Sequence, residues 1–178
     1  RQDRSVRILG ELHRRGYPFH LYLVGEKNGE AMYQKCLEAI AEYGVADYVH
    51  MTGNQPQSVC RQYARNALAT LLPGEWNRVN IFYEVMGEGC VVLTNNNHSV
   101  DEFIDRGNNC LVYDTEAEAA EQLIALLNDP QRAQRIRANA HRTAIEQFLT
   151  LEKRFGMEAQ LVMDTASGND TAHYPEII

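Results

Sequence analysis

Residues 71–94, LLPGEWNRVNIFYEVMGEGCVVLT, decide the fold of this chain. They begin inside an apolar run, residues 67–72, that ends at Pro73-Gly74, which predicts a buried strand that stops there. A polar loop follows, and then apolar side chains recur at helical spacing: Ile81, Phe82, Val85 and Met86. After helix-breaking glycines, the apolar residues 90–93 predict a second buried strand. The stretch therefore predicts a strand–loop–helix–strand unit of the kind that builds parallel sheets.

Two acidic residues of this unit are not explained by packing. Glu84 lies in an otherwise apolar part of the helix, and Glu75 lies in the loop just past the first strand. In open α/β sheets, ligands bind at the carboxyl ends of the strands, so both residues are candidates for a ligand site. A surface glutamate on an amphipathic helix is the alternative interpretation of Glu84. Glu88, one turn later, is expected to be solvated.

The rest of the chain alternates between strands and helices. Further strands are predicted at residues 19–24, 48–52 and 107–112, with amphipathic helices between and after them. The alternation predicts an α/β domain with a Rossmann-like, doubly wound parallel sheet and helices on both faces. We expect one domain over residues 1–163, followed by a polar, aperiodic tail at residues 164–178.

Composition narrows the functional classes. The formal net charge of −7 argues against nucleic acid as a partner, because neutralising phosphates requires a basic face. No apolar run approaches the roughly 20 residues that span a bilayer, and a signal peptide is not expected. The four cysteines show no metal-ligand spacing, so buried free thiols in a reducing compartment are favoured over disulfides. The predicted location is the cytoplasm.

Basic residues cluster in one predicted helix, which begins at Asp129-Pro130. Four arginines decorate it: Arg132, Arg135, Arg137 and Arg142. A solvated face is the favoured interpretation of this cluster. Peripheral contact with an anionic membrane surface is the alternative.

The helix of the central unit resembles a known family. Glu84-Val85-Met86, Gly89 and Val91-Val92 fit the frame E-A-M-x-x-G followed by P-V-V in the donor-binding segment of retaining GT-B glycosyltransferases, in particular glycosyltransferase family 4. Asn80 fits the asparagine often found where that helix begins. This chain departs from the family in three ways. Its two glutamates are nine positions apart rather than eight, the sequence NRVN at residues 77–80 replaces Gly-Phe-Gly, and Val85 replaces the alanine after the second glutamate.

In element order, the resemblance extends over residues 6–148 and implies the carboxyl-terminal, donor-binding domain of a two-domain enzyme. Domains of that family begin with a strand, whereas this chain begins with a predicted helix. The resemblance therefore implies an excised piece that lacks the first strand and the amino-terminal acceptor-binding domain. Such a piece is expected to be inactive alone.

The resemblance also implies roles for individual residues. Glu84 would accept hydrogen bonds from both ribose hydroxyls, and Glu75 would be the catalytic residue that holds the sugar hydroxyls. The helix amides near Val79 and Asn80, together with the charge of Arg78, would face the diphosphate. Four further donor-binding candidates lie in loops or near the start of the chain: Gly25, Lys27, Arg4 and His98. Loop solvation is the favoured alternative for Lys27, and His98 is expected to line its loop rather than bind a metal.

The function implied by the resemblance is transfer of a sugar from a nucleotide-diphosphate sugar to an acceptor, with retention of configuration. The leaving phosphate is thought to act as the base in this family, so neither a metal nor another cofactor is expected. One rival is a non-catalytic nucleotide-binding or interaction module with a degenerate form of the fold, and another is a nucleotide-sugar epimerase. The shifted glutamate spacing favours the non-catalytic module, whereas Glu84-Val85-Met86 in its frame favours the transferase.

Overall fold

A computed structural model describes residues 1–27, 29–74, 79–96, 101, 103–147 and 151–169, with the backbone alone for Val79 and residues 151–155. The contacts divide the chain into two units, Arg1–Ala144 and Ile145–Ile178. The first unit carries the strands and most of the helices. The second contains helix α7 (Leu151–Ala166). The domain boundary predicted at 163/164 stays a prediction.

Five parallel strands are described in the first unit. They are β1 (Leu21–Val24), β2 (Val49–Gly53), β3 (Thr70–Leu72), β4 (Val92–Asn95) and β5 (Leu111–Tyr113). β1 and β2 form one parallel sheet, and a second parallel sheet has the order β3-β4-β5. The sequence predicted a single sheet, whereas the described strands fall into two.

Helices alternate with these strands as the sequence predicted. They are α1 (Gln2–Arg14), α2 (Glu30–Tyr43), α3 (Gln57–Asn66), α4 (Val79–Gly87), α5 (Glu116–Asn128) and α6 (Pro130–Gln147). Helix α6 extends beyond Ala144, the last residue of the first unit. The α/β fold class, with parallel sheets flanked by helices, is confirmed. Among the described residues, no helix is both long enough and apolar enough to cross a membrane.

Helix α1 packs against the elements of both sheets. Its Val6 and Leu9 belong to an apolar cluster that also includes Leu21 of β1. Its Ile8 belongs to a second cluster, which includes Leu93 of β4 and residues of β5 and α5. α1 also packs directly against α2 and α5. One helix therefore holds the two sheets next to each other.

Helix α4 is amphipathic, and this property positions the candidate site. Its Phe82, Val85 and Met86 are buried in a third cluster, with residues of β4 and α6. Asn80 and Glu84 lie on the exposed side of the helix. Of the four apolar residues that share the predicted helical spacing, Phe82, Val85 and Met86 are thus buried, whereas Ile81 is exposed.

Candidate functional site

The carboxyl ends of β1 and β2 are fixed to each other by polar contacts. The Gly25 N–H group donates a hydrogen bond to the Gly53 carbonyl at 2.9 Å. The side-chain amide of Asn54 donates to the Glu26 carboxylate at 2.6 Å. Gly25 has a φ of +123°, a conformation that side chains with a Cβ rarely adopt, and no atom lies close enough to clash with an added Cβ. Glycine is therefore required at this strand end by the backbone conformation.

The carboxyl ends of β3, β4 and β5 are fixed in a similar way. The Gly74 N–H group, just after β3, donates to Oδ1 of Asn95 at 2.7 Å. The Thr94 hydroxyl donates to the Leu72 carbonyl at 2.9 Å. The Asn96 N–H group donates to the Tyr113 carbonyl at 2.8 Å. These contacts fix the point at which the chain leaves β3 toward α4.

Asn95 is a residue whose role the sequence analysis missed. Asn95 is instead the last residue of β4 and is only 7% exposed. The Gly74 N–H group is partly buried, and the Asn95 side chain supplies an acceptor for it. One feature of the sequence could have indicated this role: Asn95 directly follows a largely apolar, β-branched run.

Helix α4 presents one polar face to solvent. Asn80 and Glu84 are four positions apart, so they are neighbours on this face. Ile81 lies beside them and is 43% exposed. Within the described part of the chain, no side chain pairs with the Glu84 carboxylate. A ligand approaching this face would meet a free carboxylate, a carboxamide and an apolar side chain.

Glu88 does not lie free in solvent, so that expectation is wrong. The side chain of Glu88 is 13% exposed and forms ion pairs with Arg61, at 3.3 Å, and with Arg65. Both arginines lie on α3, which is distant in sequence. Glu88 therefore joins α3 to the end of α4 and has a structural role.

Two of the cationic candidates are already paired within the domain. Arg4 contacts the Glu116 carboxylate at 2.6 Å and donates to the Asp114 carbonyl at 3.3 Å. Lys27 contacts the Glu30 carboxylate at 2.7 Å, and its ammonium group lies 3.8 Å from the ring centre of Tyr33. The structure therefore connects Arg4 to the loop after β5 and Lys27 to the segment after β1.

The remaining candidates are only partly described. Glu75, Arg78 and His98 lie outside the described residues. Val79 is the first residue of α4 and has a described backbone. The first-turn amides of such a helix carry partial positive charge, which is favourable for an anion. No group of three or more side chains suited to metal binding occurs among the described residues.

The cysteines are not suited to nucleophilic chemistry. All four are free, and three of them, Cys36, Cys90 and Cys110, are buried. Burial raises the pKa of the Cys110 thiol to about 12 and raises the pKa values of Cys36 and Cys90 as well. Only a thiolate is an effective nucleophile, so these three side chains act as packing groups at neutral pH.

Comparison with known proteins gives one family match. Residues 1–157 match a family model described as "Glycosyl transferase-like". A search of curated proteins gives no match.

Several solved structures share the fold. Alr3699/HepE of Anabaena, solved in complex with UDP, is 22% identical with a TM-score of 0.70, over 90% of this chain and 44% of that chain. Sucrose-phosphate synthase (tll1590) of Thermosynechococcus elongatus is 16% identical with a TM-score of 0.78, over 95% of this chain and 44% of that chain. The C-terminal domain of a glycosyl transferase group 1 family protein (LpcC) of Francisella tularensis is 12% identical with a TM-score of 0.69, over 82% of this chain and 77% of that chain. This chain thus spans less than half the length of the first two proteins.

Proposed function

Because this chain belongs to the glycosyl transferase-like family, with the fold of the carboxyl-terminal half of GT-B glycosyltransferases, we propose that it is a donor-binding domain. The enzyme would transfer a sugar from a nucleotide-diphosphate sugar to an acceptor with retention of configuration. HepE, which shares the fold, has been solved with UDP and with UDP-glucose. The rest of the enzyme would supply the acceptor-binding domain, since this chain covers 44% of HepE.

The polar face of α4 is the observation that carries this proposal. Glu84 is exposed, has no described partner and lies one helical turn from Asn80. A carboxylate can accept hydrogen bonds from both hydroxyls of a ribose, and such charge-assisted bonds are stronger than those between neutral groups. We assign the ribose of the donor to Glu84.

The diphosphate of the donor would lie at the beginning of α4. The backbone amides of Val79 and Asn80 belong to the first turn of this helix, where anions are favoured. Arg78 would add a full charge, and Glu75 would hold the sugar. Gly25 would let the backbone after β1 approach the donor closely, and His98 would line the pocket.

The two paired cations differ in their suitability for the diphosphate. Lys27 and Glu30 form an exposed pair, with 48% and 66% of their side chains accessible. Exposed ion pairs contribute little, so a diphosphate can replace Glu30 as the partner of Lys27. Arg4 is only 18% exposed and has two partners in the loop and helix after β5. Lys27 is therefore the stronger of the two candidates.

The proposed transfer needs no proton-transferring side chain from this domain. The bond between the sugar and the diphosphate breaks, and a bond forms between the sugar and the acceptor oxygen. The released phosphate oxygen can accept the proton that the acceptor loses. The domain itself would bind and orient the donor and place the diphosphate against the helix amides.

A non-catalytic nucleotide-binding module is the second candidate. Two observations favour it. Glu75 and Glu84 are nine positions apart. Arg4 and Lys27 each already have a carboxylate partner within the domain, Glu116 and Glu30 respectively. Both candidates predict nucleotide binding at the same place. They differ in whether the full-length enzyme transfers sugar.

Nuclear magnetic resonance with isotope-labelled protein tests the binding site. Addition of UDP, GDP or ADP should shift the backbone amide signals of Asn80, Glu84 and Gly25. The signals of the exposed outer part of α2, such as Glu38, should not move. Shifts confined to other parts of the domain, or no shifts with any of the three nucleotides, would overturn the proposal.

A further inference from the structure

Four ring side chains lie together on one face of β1 and β2, at the amino ends of these strands. His20 directly precedes β1, and Tyr22 is the second residue of that strand. Tyr48 directly precedes β2, and His50 is the second residue of that strand. Tyr22 pairs with His50 across the two strands. Side chains two positions apart along a strand point to the same face, so the four rings share one face of this sheet.

Tyrosine rings flank the two histidines on both sides. The ring centre of His20 lies 5.2 Å from that of Tyr48 and 5.1 Å from that of His50. The ring centre of His50 lies 4.6 Å from that of Tyr22, and Tyr22 in turn lies 5.1 Å from Tyr63 of α3. The packing of these rings holds the two imidazole groups next to each other.

The two imidazole rings meet nitrogen to nitrogen. Nδ1 of His20 lies 2.9 Å from Nε2 of His50, and the planes of the two rings are 18° apart. This separation is a hydrogen-bond distance, so one nitrogen donates its proton and the other accepts it with its lone pair. Since the two roles are interchangeable between neutral imidazoles, the pair shares a single proton between two lone pairs.

The same separation fits two ligands of one metal ion. Imidazole nitrogens bind a divalent transition metal at about 2.0–2.1 Å. At that radius, nitrogens 2.9 Å apart subtend an angle of about 90° at the metal, whereas a tetrahedral angle needs a separation of about 3.4 Å. Neighbouring ligands of a square-planar or tetragonal site are 90° apart. That geometry is typical of Cu²⁺ and Ni²⁺, whereas Zn²⁺ is usually tetrahedral.

An ion can reach this pair from solvent. His20 is exposed and His50 is half-buried. The torsion that turns a histidine ring has a broad energy minimum, so rotation of the exposed His20 ring directs both lone pairs at one ion. His13 also lies beside Tyr48, with the ring centres 4.2 Å apart, but its Nε2 donates to the Phe19 carbonyl at 3.0 Å. The pair to consider is therefore His20 and His50.

We propose that His20 and His50 form a binding site for one divalent copper or nickel ion, with Nδ1 of His20 and Nε2 of His50 as ligands. The shared proton moves to the outer nitrogen of its own ring, and the ion takes its place between the two lone pairs. Within the described part of the chain, no group of three or more side chains suited to a metal occurs, so we assign the other ligand positions to water. Copper binds such nitrogen ligands more tightly than nickel or zinc.

This site is separate from the proposed nucleotide site. His20 and Gly25 lie beyond opposite ends of β1, about 16 Å apart at about 3.3 Å per residue. An ion held by His20 and His50 would join the amino ends of β1 and β2. Because it binds the folded chain, it would also stabilise the fold. The inference therefore does not depend on the proposed function.

Titration of the untagged chain with copper(II) chloride tests the site. Calorimetry should show one strongly bound equivalent of Cu²⁺. Loss of an outer partner of a metal ligand costs about 10–100-fold in affinity, so loss of a ligand itself should cost at least about tenfold. We therefore expect His20→Asn and His50→Asn each to weaken this equivalent by at least that factor. Nickel(II) chloride should raise the melting temperature of the wild type more than that of either variant.

His141→Asn is the matched control. His141 is an exposed histidine of α6, and its Nδ1 contacts the Gly87 carbonyl instead of a second imidazole. Its substitution should leave the affinity for Cu²⁺ unchanged, and thermal melts without metal should show that all three variants are folded. Wild-type affinity in either His20→Asn or His50→Asn would overturn the proposal. Loss of the bound equivalent in His141→Asn, or a wild type that binds neither Cu²⁺ nor Ni²⁺, would also overturn it.

Discussion

Asn95 shows how one side chain can place a loop. Its carboxamide accepts a hydrogen bond from Gly74, which fixes the start of the segment between β3 and α4. Removing this buried acceptor takes away the hydrogen bond to the Gly74 N–H group, at a cost of about 1–3 kcal/mol. We expect Asn95→Ala to lower the free energy of unfolding by this amount in urea denaturation.

The neighbouring Asn96 provides the control for this prediction. Asn96 is exposed, and its contact with Tyr113 is made by its backbone N–H group. Asn96→Ala should therefore change the stability by less than about 0.5 kcal/mol. Equal effects of the two substitutions would show that the Asn95 carboxamide does not support the loop.

Tyr113 predicts how stability depends on alkaline pH. Burial raises its pKa to about 12 from an ordinary value of 10.0. Since the folded-state pKa is the higher one, stability is retained below pH 10 and falls as the pH rises toward 12, by roughly 2–3 kcal/mol in total. Cys110, whose pKa burial raises from 9.0 to about 12, contributes a loss that begins one pH unit lower.

Tyr113→Phe separates the two contributions. No described residue accepts a hydrogen bond from the buried Tyr113 hydroxyl, so its removal should cost little at pH 7. Urea denaturation at several pH values should show the variant losing less stability than the wild type above pH 10. Parallel pH profiles for the two proteins would contradict the assignment.

At the scale of elements, Gly10 controls the approach of α1 to α2. A Cβ added at Gly10 would lie 1.9 Å from Cδ1 of Tyr43, which is far inside contact distance. Alanine would favour the helix by up to about 1 kcal/mol, but overpacking costs about 1–3 kcal/mol. We expect Gly10→Ala to destabilise the protein by about 1–2 kcal/mol in thermal and urea unfolding.

Gly87 of α4 is the matched control because it is also a helical glycine. An added Cβ there would meet Ala144 at 4.0 Å, which is ordinary contact. Gly87→Ala should therefore leave stability unchanged or raise it. Destabilisation by Gly87→Ala but not by Gly10→Ala would contradict the packing described for α1.

The types and order of the elements could be predicted because they depend on local periodicity. The residues at which the elements begin and end could not be predicted, because apolar residues just outside a strand also pack against other parts of the chain. Residues 67–72 read as one strand, yet β3 begins at Thr70, and the carbonyls of Ala67 and Leu68 accept hydrogen bonds from Arg137 of α6. Arg137 was expected on a solvated face. Its contacts join residues about 70 positions apart, which no local pattern reveals.

The same limit applies to the candidate site. Features that depend on local periodicity could be predicted, and features that depend on contacts between distant residues could not. The exposure of Glu84 follows from the period of α4. The pairing of Glu88 with α3 depends on how two helices pack, and the position of Asn95 depends on the strand beside it. The division into two sheets likewise depends on which distant strands pair.

At the scale of the whole molecule, the proposed donor domain should bind but not transfer. Its chain covers only 44% of HepE, and the proposed acceptor site lies in the remainder of the enzyme. Purified chain incubated with radiolabelled UDP-glucose and a panel of sugar acceptors should give no labelled product. Transfer by this chain alone would contradict the assignment of the acceptor site to another domain.

The affinity of a nucleotide for the Glu84→Gln variant tests the central claim most directly. Hydrogen bonds to a charged group contribute roughly 1.5–3 kcal/mol each, and about 1.4 kcal/mol corresponds to a tenfold change in affinity. Titration calorimetry should therefore show UDP, GDP or ADP binding at least about tenfold more weakly to Glu84→Gln than to the wild type. Thermal melts should show that the variant is folded.

Glu38→Gln is the control in the same titration, because Glu38 is an exposed glutamate on a different helix, α2. Its affinity for the nucleotide should equal that of the wild type. Wild-type binding of a nucleotide that Glu84→Gln binds equally well would contradict the account, as would a wild type that binds none of the three nucleotides.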